Sequence, residues 1–449
     1  MSDISFVRTE MLPEQEPPST SVGLVGWSRA NLFSSPLNTF LSLLAAFFVL
    51  KLLMGLLPWV FMSSWSAGSL SECREQLAAA YGEHHEGACW AVIRERWIQL
   101  LFGFYPPYPV DGTAHLGMPP EGAWPAYFRP IFTFLLILAA VAPVLFDKLP
   151  RKMLIITAIF PFAMPWLMWG GTVWNPIGAA AGFGIGFVAW RLLAPSLGSL
   201  VAVIAAALLP VLWWLFGLGF FAETMHSLIA IDIPAVESRR FGGFMLSINL
   251  GVVAIVGSLP LGIILALGRQ SDLLIVKAIC VGFIEFIRGV PLITLLFVAN
   301  SLLNIFLPPG TQFDVILRVM IMITLFASAY MAEVVRGGLA ALPRGQYEGA
   351  DSLGLNYWQA QRMIIMPQAL KISIPGIVST FIGIFKDTTL VSVISLYDPL
   401  GLSTSIRATA EWNGIYWELF AFIAFVFFIF CFSMSRYSMY LERKLKTSH

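Results

Sequence analysis

The chain has 449 residues, of which 58% are hydrophobic and 12% are Asp, Glu, Lys or Arg, about half the charge of an ordinary soluble domain. That composition excludes a soluble enzyme, and a formal net charge of +1 excludes a nucleic-acid binder that works by mass electrostatic attraction. Ten membrane crossings of about 20 residues would use roughly 200 residues, so an all-α polytopic membrane protein of about ten spans fits the length.

Residues 1–36 read as a cytoplasmic N-terminal tail. Its start holds Asp3, Glu10, Glu14 and Glu16 with Pro13, Pro17 and Pro18, and it lacks the basic start and apolar middle of a secretory signal. Trp27, Leu32 and Phe33 beside Arg29 fit either a short amphipathic piece at the membrane surface or a polar lead-in. Residues 37–60 form the first apolar run, interrupted by Lys51, whose stem can snorkel. Residues 61–128 are polar and read as an external loop with one short helix around 90–104. Further runs at 130–146, 153–170, 177–194 and 197–220 complete an N-terminal membrane region over 37–242, with about five spans. Pro161, Pro165 and the glycines between Gly178 and Gly186 blur the ends of the middle runs.

From 243 the pattern sharpens into five runs, at 243–267, 281–306, 315–337, 370–396 and 416–437. Arg269 and Lys277 separate the first two. Arg344, Arg362 and Lys371 separate the third and fourth, and Arg436, Arg443, Lys444 and Lys446 follow the fifth. The opposite loops hold Arg318 and Arg407, so the positive-inside rule puts both termini in the cytoplasm if the first half has an odd number of spans. Arg239 and Arg240 then lie outside, against the rule. The second domain covers 243–440, with a short cytoplasmic tail at 441–449.

Catalysis would need convergent ligands or an activated nucleophile, and the sequence offers neither. His84 and His85 lie in EHHEGAC, which lacks the second helical His of H-E-x-x-H; a solvated loop is the expectation. Gly184, Gly186 and Ala189 match G-x-G-x-x-A without a preceding strand, so Gly178, Gly182 and Gly186 read instead as a helix-packing stripe. No Gly-Lys dipeptide exists to build a phosphate-binding loop, so any ATPase must be another chain. Cys73 and Cys89 share the external loop; a disulfide between them is expected, with two unpaired thiols as the alternative.

The specific signal lies between the third and fourth runs of the second half, in the long connection 338–369. Long ordered loops are usually functional. Gly345 is expected to end one helix. Short amphipathic surface helices follow, the first from Gln346 through Tyr347, Ala350 and Leu353 to Leu355, the second from Tyr357, Trp358 and Gln361. Glu348, Gly349 and Ala350, then Gly354, Ile364 and Met366-Pro367 reproduce the spacing E-A-A-x3-G-x9-I-x-L-P, with Gly349 in place of Ala and Met366 in place of Leu. On these residues the chain resembles the permeases of binding-protein-dependent ABC importers.

EFIRGVPLITLLF, AYMAEVVRGGL, GQYEGADSLGL and FKDTTLVSVI are similar to the polar amino-acid branch. The extra spans in front and the C-terminal CFSMSRYSMYLERKL most closely resemble the longer permease of general L-amino-acid importers and their glutamate, glutamine and aspartate relatives; the specific motifs cover 243–445, and the first half resembles the family mainly in hydropathy and length. The resemblance implies a C-terminal five-span type I permease domain in the bacterial inner membrane. It implies that Glu348, Gly349, Ala350, Gly354, Ile364 and Pro367 couple to an ATPase, with small residues letting the partner approach closely. It also implies a second homologous permease subunit, two ATPase subunits carrying ATP and Mg, and a periplasmic amino-acid-binding protein, with no cofactor in this chain.

A lone charge at the bilayer centre costs about 2.5–3.5 kcal/mol, so charges in the spans need partners. Glu285 and Arg288, like Glu333 and Arg336, are three apart and are expected to neutralise one another within their own helices, or to hold the inner mouth of the pathway. Lys386 and Asp387 are adjacent, cannot share a face, and are expected to reach a partner helix or an aqueous cavity. The main rival is a secondary amino-acid transporter or channel without an ATPase, which should show inverted repeats or charge-lined spans. A receptor or scaffold role for the first five spans is a further alternative.

Overall fold

The structure, a computed structural model, describes residues 22–83, 86–105, 128–146, 148–306 and 314–445. Expectations for residues 1–21, for His84 and His85, and for residues 446–449 fall outside these. The chain forms two compact units, 1–91 and 92–449, so a unit boundary falls inside the stretch read as the external loop.

In the first unit, α1 (Gly23–Asn31) is followed by α2 (Pro36–Phe61), whose N-cap Ser35 accepts from the Asn38 amide and whose first residue is Pro36, both favourable at a helix start. Helix α2 is apolar all round and buries none of its residues, as a helix solvated by lipid does. A polar helix, α3 (Leu70–Tyr81), starts at Ser69, whose side chain accepts from Glu72 N. It lies within the stretch expected to be an external loop. Cys73 of α3 is bonded to Cys89, with their Cα atoms 6.2 Å apart. Trp90 Nε1 donates to Val60 O at 3.0 Å, and its ring meets Trp59 edge-on at 5.6 Å.

The second unit opens with α4 (Ala91–Phe102), close to the expected short helix. Next come α5 (Phe128–Leu145), α6 (Leu154–Trp169), α7 (Trp174–Leu197), α8 (Ser199–Leu212) and α9 (Leu218–Leu228). Pro161 and Pro165 lie inside an unbroken α6, the tolerance that proline finds in membrane helices. Helices α8 and α9 run on through a wide turn at Trp213–Gly217, from which Trp213 and Trp214 donate to the carbonyls of Gly178 and Ala179 at 2.8 and 3.0 Å. The glycine stripe does face these helices: a Cβ at Gly178 would meet Leu218 and Phe221, at Gly182 Trp214, and at Gly186 the Ala206 carbonyl.

The permease half contains α10 (Gly243–Arg269), α11 (Leu274–Gly289), α12 (Leu292–Phe306), α13 (Val315–Ala340), α14 (Arg344–Ser352), α15 (Tyr357–Ala360), α16 (Met366–Asp387), α17 (Pro399–Arg407) and α18 (Trp417–Leu445). Among the described residues nine helical segments are long and apolar enough to cross a membrane, and α11 with α12 makes a tenth path bent by 104°. The apolar run expected at 281–306 is thus two helices meeting at a bend. Pro291 has no amide hydrogen and holds Val290 extended at φ −109°, ψ 131°. The run expected to reach 396 likewise ends as α-helix at Asp387, continuing as a 3-10 segment to Ile394. Gly345, expected to end a helix, lies inside α14.

Helix α13 is the centre of this half and packs against α10, α11, α12 and α16. Glycine permits the close approaches: a Cβ at Gly262 would stand 2.7 Å from Met331, and one at Gly338 2.5 Å from Ala369 O. One buried cluster spans both sequence halves, from Met164 and Met168 through Phe241 and Leu250 to Ile323 and Ile394.

Contacts sort the helix ends into two sides. On one side β1 (Gly171–Thr172) pairs antiparallel with β2 (Asp232–Ile233), Gly242 bridges Tyr397, and buried Arg129 donates to Leu167 O, Met168 O and Pro234 O at 2.7, 3.2 and 2.8 Å. On the other, Tyr437 Oη donates to Leu145 O at 3.0 Å, and Arg269 reaches Glu333 at 2.9 Å.

Candidate functional site

The residues from Glu348 to Pro367 form a compact turn at the second of these ends. Helix α14 places Ala350 inward and almost fully buried, while Glu348 and Gly349 face outward and Tyr347 is half-buried. Burial raises the Tyr347 phenol above its ordinary range. The helix closes with two reciprocal bonds, Leu355 N to Ala350 O at 3.2 Å and Gly354 N to Asp351 O at 2.9 Å. This is the glycine-terminated motif that satisfies the last carbonyls of a helix. Gly354 has φ +68° with no atom within 4 Å of a prospective Cβ. Within this chain, then, the glycine is required by backbone conformation and not by crowding.

After this turn Asn356 and Gln359 cap α15 reciprocally at 2.9 and 3.0 Å. The helix widens over Gln361–Ile365 before Met366 and Pro367 start α16. Gln368 Nε2 donates to Gln346 Oε1 at 2.8 Å and to Ile364 O at 2.9 Å, tying α14 to α16. Tyr347, Ile364 and Met366 pack on a cluster that includes Ile365, Ala369, Val335 and Ile284. The inner face of the turn is therefore continuous with the spans, whereas Leu353, Trp358 and Met363 stand out at 73%, 70% and 67% exposure.

The charges next to this turn do not pair as expected. Glu333 and Arg336 do neutralise each other on α13, at 3.0 and 3.1 Å. Glu285 and Arg288 do not: Glu285 is held at 2.8 Å by Arg269 of α10, and Arg288 reaches Glu333 at 3.7 Å while its guanidinium lies 5.6 Å over the Tyr330 ring. Arg269, which also bonds Glu333, joins α10, α11 and α13. In the sequence Arg269 stands out only as a charge between two apolar runs. Its place on the last turn of an apolar run, where a cation meets the helix's negative end, was the signal available.

Lys386 is exposed and Asp387 half-buried at the end of α16. Neither forms an ion pair among the described residues. The helix stops at Asp387, and the pair sits at its C-terminal edge and not mid-span. Among the described residues no group of three His, Cys, Asp or Glu side chains could hold a metal ion.

Nine span-length apolar helices and one bent pair among the described residues, with a polar turn packed on α13 and α16, define a multi-pass membrane permease. The chain belongs to the binding-protein-dependent transport system inner membrane components, whose family profile matches residues 258–447. It is 55% identical to the glutamate/glutamine/aspartate/asparagine transport system permease protein BztC of Rhodobacter capsulatus over 100% of both chains. It is 37% identical to the inner membrane amino-acid ABC transporter permease protein YhdY of Escherichia coli K12, over 94% of this chain and 93% of that one. A crystal structure of an amino acid ABC transporter with histidines is 29% identical over 45% of this chain and 91% of its own, with a TM-score of 0.40.

Proposed function

We propose that this permease imports acidic and amide L-amino acids across the bacterial inner membrane, receiving them from a periplasmic binding protein and driven by separate ATPase subunits that dock on α14 and the Gly354 turn. The observation that carries the docking reading is the exposed apolar set Leu353, Trp358 and Met363. These side chains stand out on the outer face of the turn, and exposed apolar patches of this kind mark interaction surfaces. The substrate class rests on the Rhodobacter relative, named for glutamate, glutamine, aspartate and asparagine. The N and C termini then lie in the cytoplasm with α14, and a second permease subunit completes the pathway.

ATP bound to the ATPase pair shifts the bundle between inward-open and outward-open forms only if its affinity differs between them. Glu348, Gly349 and the outer face of the turn transmit that difference, with Ile364 and Pro367 anchoring the turn to α16. Separation of α11 from α13 exchanges the contacts of Glu285, Arg288, Glu333, Arg336 and Arg269, while Lys386 and Asp387 face the pathway at the other end of α16. In vesicles containing the complete transporter, Trp358→Glu should lower substrate-stimulated ATP hydrolysis at least tenfold while assembly of the permease pair is kept. Uptake by this chain with no ATPase present would instead favour the secondary-transporter reading.

A further inference from the structure

A groove of about 630 Å³ opens between α5, α6, α10 and α13, on the half of the spans away from α14, a volume within the roughly 300–1,000 Å³ of small-ligand sites. Its walls are apolar, formed by Ile137, Phe160, Met164, Val253, Val256 and Met320. Asn249 adds a buried amide, about 9 Å along α10 from its start at Gly243, at 1.5 Å per residue. At the mouth, Trp169 Nε1 donates to Ser238 Oγ at 2.6 Å, and Ser238 Oγ donates to Asp314 Oδ2. The other Asp314 oxygen accepts the amides of Ile316 and Leu317. Arg239 and Arg240 follow Ser238 directly, are exposed, and form no ion pair among the described residues.

Two cations on the side opposite the coupling turn oppose the charge bias of membrane proteins, and they directly follow Ser238, whose hydroxyl bonds two residues of the slot's lining, Trp169 and Asp314. Glu237 and Asp314 balance the two arginines formally, but Asp314 turns its oxygens to Ser238 Oγ and the amides of Ile316 and Leu317, so the exposed Arg239 and Arg240 are left without an ion-pair partner among the described residues. We propose that this groove is a binding site for one anionic phospholipid of the outer half of the bilayer. Its phosphate sits on Arg239 and Arg240, its glycerol ester lies at the depth of Asn249, and one acyl chain fills the slot. Basic side chains at a bilayer surface attract anionic headgroups, and the slot converts that general attraction into a fixed position.

The test is native mass spectrometry of the full-length chain released from nanodiscs of equal phosphatidylglycerol and phosphatidylcholine. The wild type should retain one phosphatidylglycerol in preference to phosphatidylcholine, and R239Q/R240Q should lower that retention on the order of tenfold. Val256→Trp, which fills the slot from an exposed position, should lose it with the arginines intact, and glycerol phosphate should not displace the lipid. Equal retention by the wild type and R239Q/R240Q overturns the proposal, as does displacement by glycerol phosphate, which would reduce the site to a phosphate contact. If R239Q/R240Q keeps the lipid and loses only stimulation by a periplasmic binding protein, the arginines belong to a protein-docking surface and the proposal is wrong.

Discussion

Arg269, at the end of α10, lies 2.9 Å from Glu333 of α13 although 64 residues separate them. Its side chain is 25% exposed and that of Glu333 16%, so the bond is shielded from water in a way that the 54%-exposed Glu285 partner is not.

A double-mutant cycle should therefore separate the two bonds. Arg269→Gln with Glu333→Gln should give a coupling of about 1–2 kcal/mol, whereas Arg269→Gln with Glu285→Gln should give less than about 0.5 kcal/mol. Thermal unfolding of the purified permease supplies the values. Equal couplings would mean that burial does not distinguish the two carboxylates.

At Gly354 the positive φ and the open space around it lead to different expectations for different residues. Gly354→Asn, which tolerates the left-handed region, should keep most coupled ATP hydrolysis, while Gly354→Val should remove it, since β-branched residues are strained there by more than about 1 kcal/mol. Loss with Asn as well as Val would place the requirement in the partner's surface. Gly349 is helical and solvent-facing, so Gly349→Ala should be tolerated and should stabilise α14 by up to about 1 kcal/mol. Circular dichroism melts and ATPase rates measure both.

The Cys73–Cys89 bond closes a 16-residue separation, worth about 3 kcal/mol in the chain-entropy account. Both cysteines are buried, at 0% and 2% exposure. Maleimide should label them only after denaturation with reductant, and Cys73→Ala/Cys89→Ala should lower the unfolding temperature of the first unit. Labelling of Cys73 or Cys89 in unreduced, denatured protein, beyond that of the free Cys280 and Cys431, would show that the two are not bonded.

Asp398 caps α17 through the Leu400 and Gly401 amides at 3.1 and 3.0 Å, yet its burial pushes the carboxyl up to about 6, beyond what those amide bonds pull back. A folded-state value above the ordinary 3.8 means that the folded form holds its proton more tightly than the unfolded form. Stability from this group is thus present at low pH and lost as pH rises through about 6. Asp398→Asn keeps an acceptor for the cap without a charge to desolvate. It should flatten the difference in unfolding temperature between pH 5 and pH 7.5, raising stability at the higher pH by about 2 kcal/mol. An unchanged difference between the two proteins would assign the pH dependence elsewhere.

Much of the architecture was legible before any coordinates. Apolar runs of span length, the flanking arginines and lysines, and the glycine stripe on α7 are local properties, readable because a lipid-facing helix must satisfy its backbone internally and bury no charge. The spacing from Glu348 to Pro367 was legible for a similar reason, since a helix, a left-handed turn and a proline start each demand particular residues at fixed offsets. The bend at Pro291 was readable in principle, but the run around it is apolar on both sides and hydropathy passes over a break in direction. The polar α3 left no periodic signal strong enough to distinguish it from loop.

What the sequence determined by itself is the succession of apolar runs, about ten of them, and the presence of one polar turn, because these follow from desolvation along the chain. Which charges meet was decided only by the tertiary structure. Glu285 has Arg288 three residues away on its own helix, yet bonds Arg269 of α10, because α10, α11 and α13 converge there and a shielded carboxylate takes whichever cation the packing delivers. The meeting of Trp169, Ser238 and Asp314 beside an apolar slot is of the same kind. Side chains so far apart in the chain become neighbours through helix packing alone, and no local pattern records it.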